Sequence, residues 1–268
     1  MLKGMQNLWR FVDSISDDAE PHHRREVFGS IFALDREAFR EREANGLLRL
    51  ERSLGEWRRI LERMERRGVE RLVFEVIDTM ERQFPVEWPL ALELYPMDPD
   101  DQFGIERLGG VSGWTNWTGD SIHLVVWPSW STWAHLQSTV VHEYHHHWRV
   151  RVMGNGHDRI TLMEKIIREG LAEHFVEVAL GPASRGPWVS ALTAEEARDL
   201  WWEVYRSHAN DVGDSADGYV FGGGETGLPL WAGYSLGYHL VSWYRETHPT
   251  ASLQRLTATE SAVFSLGL

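Results

Sequence analysis

The stretch Val140-Val141-His142-Glu143-Tyr144-His145-His146 decides how the rest of this chain is read. It falls inside a pattern that predicts a helix from Ser131 to about Val152, so His142 and His146 project from one face, a single turn apart. Two imidazoles placed in that way can each reach one metal ion at about 2.0–2.1 Å. Glu143 lies about 100° around the helix, beside such a metal rather than on it. A carboxylate there can take a proton from a water that the metal activates. The competing reading is a His-rich solvated helix face, because His145 and His147 adjoin the motif.

A catalytic zinc needs a third protein ligand and a position left open. The next helix offers one. Thr161 and Glu164 form a T-x-x-E start for a helix running to about Leu180, and it contains Glu169-Gly170-Leu171-Ala172-Glu173-His174. Glu169 follows His146 at a distance that leaves room for a loop and an antiparallel return, and Gly170 would let the two helices approach closely. Glu173, one turn further on, could hold a ligand imidazole by its other N–H. The alternative for Glu169 is a plain surface carboxylate. His174 is the competing ligand, although it points about 100° away from Glu173.

Upstream of the motif, Leu90–Tyr95 (LALELY) and Ser121–Trp127 (SIHLVVW) read as strands that stop at Pro96 and Pro128, while Gly104–Gly119 reads as a turn-rich loop or irregular strand. Residues 1–84 read as polar helices, with Leu54, Trp57, Leu61 and Met64 at helical spacing. Downstream, Met153–Asp158 breaks the metal helix, and Thr193 with Glu196 starts another helix to about His208. Asn210–Gly227 reads as a Gly- and Asp-rich loop, and a strong helix follows from about Leu230 to Glu246.

The 268 residues, 43% hydrophobic and 25% charged, are those of an ordinary globular protein. Cysteine is absent, so metal ligands must be His, Asp or Glu. Net charge is −13, and nearly all of the excess lies after residue 84, which argues against nucleic acid or an anionic membrane as partner. No 18 consecutive apolar residues occur, and no apolar leader-like run precedes Asp13, so a cytoplasmic location is expected. Of the 14 Trp residues, most are expected to fill the core.

H-E-x-x-H followed by an E-G-x-x-E helix resembles the gluzincin zinc peptidases, the thermolysin-like group. Together with Gly109-Gly110-x-x-Gly113, Ile122-x-Leu124 and Pro229-Leu230-Trp231-Ala232-Gly233-Tyr234-Ser235-Leu236-Gly237-Tyr238, these segments resemble a YjaZ-like bacterial family of predicted zinc-dependent proteases, a domain of unknown function. The resemblance covers about residue 85 to the end and leaves residues 1–84 outside. It implies His142, His146 and Glu169 as zinc ligands, Glu143 as general base and Glu173 as the acid behind a ligand. Tyr234 and Tyr238, one turn apart, are candidates for stabilising the oxyanion, with Tyr234 preferred; two core tyrosines are the alternative. The strand Ser121–Trp127 is expected to form the cleft edge that pairs with substrate backbone, with Trp114, Trp117, Trp130 and Trp133 near it.

The expectation is therefore an α+β, mainly helical, zincin-like fold: a small sheet on the N-terminal side over the H-E-x-x-H helix, and a helical C-terminal lobe. Residues 1–84 would be a helical scaffold or cover and residues 85–268 the metallopeptidase domain. The expected function is zinc-dependent hydrolysis of peptide or protein substrates. The rival is a metal-binding interaction or regulatory module without turnover.

Overall fold

The computed structural model describes residues 2–154 and 160–266. Its contacts divide the chain into two compact units, residues 1–116 with 120–143, and residues 117–119 with 144–268. The N-terminal helices and the sheet cluster together in the first unit.

The first unit holds β1 (Leu2–Lys3), α1 (Met5–Ser14), α2 (Pro21–Phe32), α3 (Arg36–Ala44), α4 (Leu54–Arg67) and α5 (Val69–Gln83). The strands β2 (Ala91–Pro96), β3 (Val111–Thr115) and β4 (Ser121–Val126) follow. Ser53 and Glu56 close a capping box at the start of α4, and Gly68 ends that helix in the left-handed region, where a side chain would be strained. Phe11, Phe28, Phe32, Trp57 and Tyr95 form one aromatic core. The sheet is mixed, in the order β1-β2-β4-β3, with only the β3–β4 pair antiparallel. The strand Ser121–Val126 is thus interior, and the edge is β3, in the stretch read from sequence as a loop or irregular strand. That corrects the expectation for the cleft edge. Its cause is topology: β2 and β3 take the two flanks of β4, and residue pattern alone does not fix strand order.

A polar row crosses all four strands in register: Lys3, Glu93, His123 and Trp114. Glu93 accepts from Lys3 Nζ (3.0 Å), Arg42 Nη2 (3.0 Å) and Tyr95 Oη (2.5 Å). His123 Nδ1 lies 3.0 Å from Glu93 Oε2 and stacks its ring on Trp114. Burial alone would raise the Glu93 pKa, but the bonds from His123, Tyr95 and Lys3 outweigh it and hold the carboxyl well below the ordinary range. The same burial and the adjacent Glu93 charge push the Tyr95 phenol up.

The metal-motif helix, α6 (Thr132–Met153), is continuous, and every residue from Val140 to Val150 is buried. It ends at Gly154, with φ of 65°, and the remainder of the expected breaker, residues 155–158, lies outside the described residues. The first unit contains its N-terminal part. The second contains its C-terminal part with α7 (Leu162–Leu180), α8 (Ala194–Leu200), α9 (Arg206–His208), α10 (Asp214–Phe221), α11 (Ala232–Thr247) and α12 (Leu253–Thr257). Thr193 and Glu196 form the expected capping box of α8. At α7 only half of the box exists: Thr161 accepts the Glu164 amide, while the Glu164 carboxylate turns to Arg149. α10 lies inside the stretch read as loop. Its Asp and Gly content favours a loop locally, and burial of Ala216 and Val220 in the helical core overrides that preference.

α11 lies against α7 where two glycines meet, Gly170 and Gly237, and a Cβ on Gly237 would stand 1.8 Å from the Ile166 carbonyl oxygen. Arg149 is 0% exposed and grips Glu164 with two bonds, Nε to Oε1 at 2.9 Å and Nη2 to Oε2 at 2.7 Å. Its Nη1 donates to the Thr257 carbonyl at 2.8 Å, tying α6 to α12. Arg149→Met keeps much of the volume but leaves a buried carboxylate without its main partner. The expected loss is about 3–5 kcal/mol in urea unfolding, and a loss below about 1 kcal/mol would show that Arg149 acts as a surface ion pair does.

Trp residues divide between core and surface. Trp57, Trp148 and Trp201 are buried, whereas Trp130 is 82% exposed and carries the Arg67 guanidinium on its ring face, 3.4 Å from the centroid.

Candidate metal centre

The helical period does what the motif implies. On α6, His142, Glu143 and His146 are all buried and offer ligand atoms within 4.8 Å of one another, a cluster positioned to chelate a metal ion such as zinc. The neighbouring imidazoles point elsewhere. His145 Nε2 lies 3.2 Å from Thr257 Oγ1, and His147 Nδ1 bonds the Gly119 carbonyl. The solvated His-rich face is therefore not what forms, since His142, His145, His146 and His147 are all buried.

Glu169 arrives from α7, with Oε2 3.4 Å from His146 Nε2. That separation is longer than an ordinary N–H···O bond, about 2.7–3.2 Å. It matches the edge of a tetrahedron, about 3.3–3.4 Å when each ligand atom lies about 2.0–2.1 Å from a common centre. Imidazole nitrogens and a carboxylate are also the donor set that zinc accepts without thiolate, so the residues present fit the ion. The next residue, Gly170, packs on Gly237 of α11 and not on α6, so the close approach expected of it is made to a different helix.

One turn along, the Glu173 carboxylate is buried and accepts the Gly186 amide (2.8 Å, Oε2) and the Trp188 indole N–H (2.9 Å, Oε1). The loop after α7 thus folds back over the helix and fixes this carboxylate. His174 is committed away from metal. Its Nδ1 accepts from Arg245 Nη1 at 2.8 Å, leaving Nε2–H to donate to the Tyr238 carbonyl at 3.1 Å. Burial, aided by the Arg245 cation, pushes its pKa down to about 4, so it stays neutral near neutral pH.

The two tyrosines part company. Tyr238 stacks on His174, donates its hydroxyl to Glu177 Oε2 (3.0 Å) and accepts from Arg185 Nη1 (2.5 Å); burial and then the Glu177 charge raise its pKa. Tyr234 lies among the aromatic rings of Trp188 and Phe221. Trp188 in turn touches Trp231, which holds φ of 65°, an uncommon conformation for a bulky residue. His135 is exposed, and its ring covers Gly109.

Sequence reading missed Thr115. Its Oγ1 lies 2.8 Å from Glu143 Oε2 and 2.9 Å from the Glu143 carbonyl oxygen, reaching across from β3. The available signal was the alternation Gly113-x-Thr115, which acquires a face only once the stretch is known to be a strand.

The family described as a predicted Zn-dependent protease (DUF2268) matches residues 68–265. The chain is similar to YjfC of Bacillus subtilis (strain 168), described as an uncharacterized protein, at 29% identity over 171 residues, 58% of this chain and 53% of YjfC. It is similar to YjaZ of the same organism, also described as uncharacterized, at 29% identity over 111 residues, 41% of this chain and 42% of YjaZ. The chain thus spans about half the length of the curated relatives it matches. No solved structure matches. Because the matched segment covers well over half of the chain and carries both the α6 motif and Glu169, this chain belongs to the family of predicted Zn-dependent proteases.

Proposed function

We propose that the chain is a zinc peptidase that cleaves peptide or protein substrates, with His142, His146 and Glu169 as the metal ligands. The observation that supports the reading is the 3.4 Å approach of Glu169 to His146, a spacing that two ligands of one metal ion would have. When bound, zinc would supply Lewis-acid activation of a water and of the scissile carbonyl.

The remaining steps belong to side chains of this chain. A Glu143 carboxylate oxygen accepts the proton of the attacking water and later delivers it to the leaving amine. Glu173, fixed by Gly186 and Trp188, holds a ligand imidazole in place. Tyr234 is assigned to the developing oxyanion in preference to Tyr238, whose hydroxyl already serves Glu177 and Arg185. The substrate backbone is assigned to the open side of β3. Residues 85–268 form the peptidase portion and residues 1–84 its scaffold. Among the described residues no helix is long and apolar enough to cross a membrane.

Elemental analysis tests the ligand set. After zinc reconstitution the parent is expected to hold about one zinc per chain. His146→Ala and Glu169→Ala are expected to lose it by more than the roughly 10–100-fold that an outer partner such as Glu173 is worth. Zinc retained in Glu169→Ala would remove that residue from the ligand set. A zinc-loaded parent inert toward a broad peptide panel would turn the assignment to a metal-binding module without turnover.

A further inference from the structure

We infer that Thr115 is a positioning residue for Glu143, and that β3 thereby sets the general base and the substrate backbone in one register. The kinetic part of this inference rests on the peptidase reading; the structural part does not.

The register of β3 follows from its hydrogen bonds. Trp127 N–H donates to the Gly110 carbonyl and Asn116 N–H to the Ser121 carbonyl. In an antiparallel ladder such pairs alternate, so residues 110, 112, 114 and 116 bond inward to β4, while Val111, Gly113 and Thr115 turn their N–H and C=O groups to the other side. Among the described residues no strand pairs with that side, because β3 is last in the sheet. Gly113 and Thr115 are therefore the residues whose backbone is directed toward an added strand.

Their side-chain positions face α6. A Cβ at Gly113 would stand 2.5 Å from Thr139 Cγ2 and 3.2 Å from Glu143 Cγ, so glycine is required there by space; its φ is ordinary. Two residues on, the Thr115 hydroxyl lies within hydrogen-bonding distance of both the Glu143 carboxylate and the Glu143 backbone carbonyl. The hydroxyl has a single proton, and its donation to the carboxylate, with the backbone carbonyl as the shared second acceptor, favours one side-chain rotamer out of those a glutamate can adopt. Gly113 leaves the room that the Glu143 Cγ occupies, since a Cβ there would stand 3.2 Å from it. Glu143 is thus fixed by the strand rather than by its own helix, and any peptide paired with Gly113 or Thr115 is aligned against a carboxylate referenced to the same two residues. A reacting group displaced by about 1 Å can lose on the order of 10²-fold in rate, which is the scale on which a lost rotamer constraint acts.

The test compares Thr115→Val, which keeps the β-branched shape and removes the hydroxyl, with Thr115→Ser, which keeps the hydroxyl. Zinc content should equal that of the parent in both. In Thr115→Val, kcat on a peptide substrate should fall about 10–10²-fold with KM within about twofold, and Thr115→Ser should recover most of the loss. A crystal structure of Thr115→Val should show the Glu143 carboxylate in a different rotamer. An unchanged kcat, a change confined to KM, or an unmoved carboxylate would each overturn the inference. If the zinc-loaded parent itself turns nothing over, the peptidase reading fails separately, and the position of Glu143 in the Thr115→Val crystal decides the inference by itself.

Discussion

Glu143→Gln is expected to keep its zinc and lose between about 10² and 10⁴ of its turnover, the usual worth of a positioned general base. The substitution is nearly isosteric, and the amide oxygen can still accept from Thr115, so the fold and the two histidines should be undisturbed. What disappears is the ability to accept and return a proton beside the ligand atoms of His142 and His146, which lie within 4.8 Å of its own. Paired metal analysis and kinetics make the comparison. A variant that binds zinc and cleaves at the parental rate would take the base role away from Glu143, whereas one that loses the metal as well would make Glu143 part of the coordination itself.

Gly237→Ala is expected to be strongly destabilising, because among the described glycines its methyl would come nearest to backbone. The added carbon would sit 1.8 Å from the Ile166 carbonyl oxygen and 3.2 Å from the Gly170 amide, and both obstacles are helix backbone rather than a flexible side-chain tip. Relief requires α7 and α11 to separate, which opens a core containing Leu171, Leu236 and Leu240. Overpacking commonly costs about 1–3 kcal/mol, and a rigid backbone contact belongs at or above the upper end. For a unit of this size that corresponds to a fall in Tm on the order of 10 °C. Glu169 is carried on the displaced segment beside Gly170, so zinc binding should weaken together with stability. A variant with unaltered melting and zinc content would mean that the glycine contact yields easily and does not hold the ligand in place.

Much of this architecture is legible in the residues themselves. The α6 motif, the starts of α7 and α8 at Thr161 and Thr193, and the strands ending at Pro96 and near Pro128 all carry local signals that the tertiary structure leaves in force. Gly170 reads as the point where α6 and α7 approach closely, whereas in the structure the atoms pressed against it belong to Gly237 and Tyr238 of α11. The signals that failed are those that depend on partners distant in sequence. β3 is rich in Gly, Ser, Thr and Trp because it is an edge strand with one face on α6 and the other on the polar row, so it lacks the alternation of a half-buried strand. Its place at the edge, and hence the role of Thr115, depends on the order in which four strands assemble, which no local pattern encodes. α10 was hidden by Gly and Asp residues that favour loops locally.

The polar row across the sheet has a consequence for truncation. The matched family segment begins at residue 68, yet two of the groups that neutralise the buried Glu93 carboxylate, Lys3 and Arg42, come from before it. A fragment cut at that boundary would leave Glu93 in the interior with His123 and Tyr95 but without either permanent cation. It would also remove β1, exposing the flank of β2. The N-terminal segment is therefore not an appendage to be trimmed when the protein is expressed: β1 and α3 supply the counter-charge for the sheet whose far edge carries Thr115.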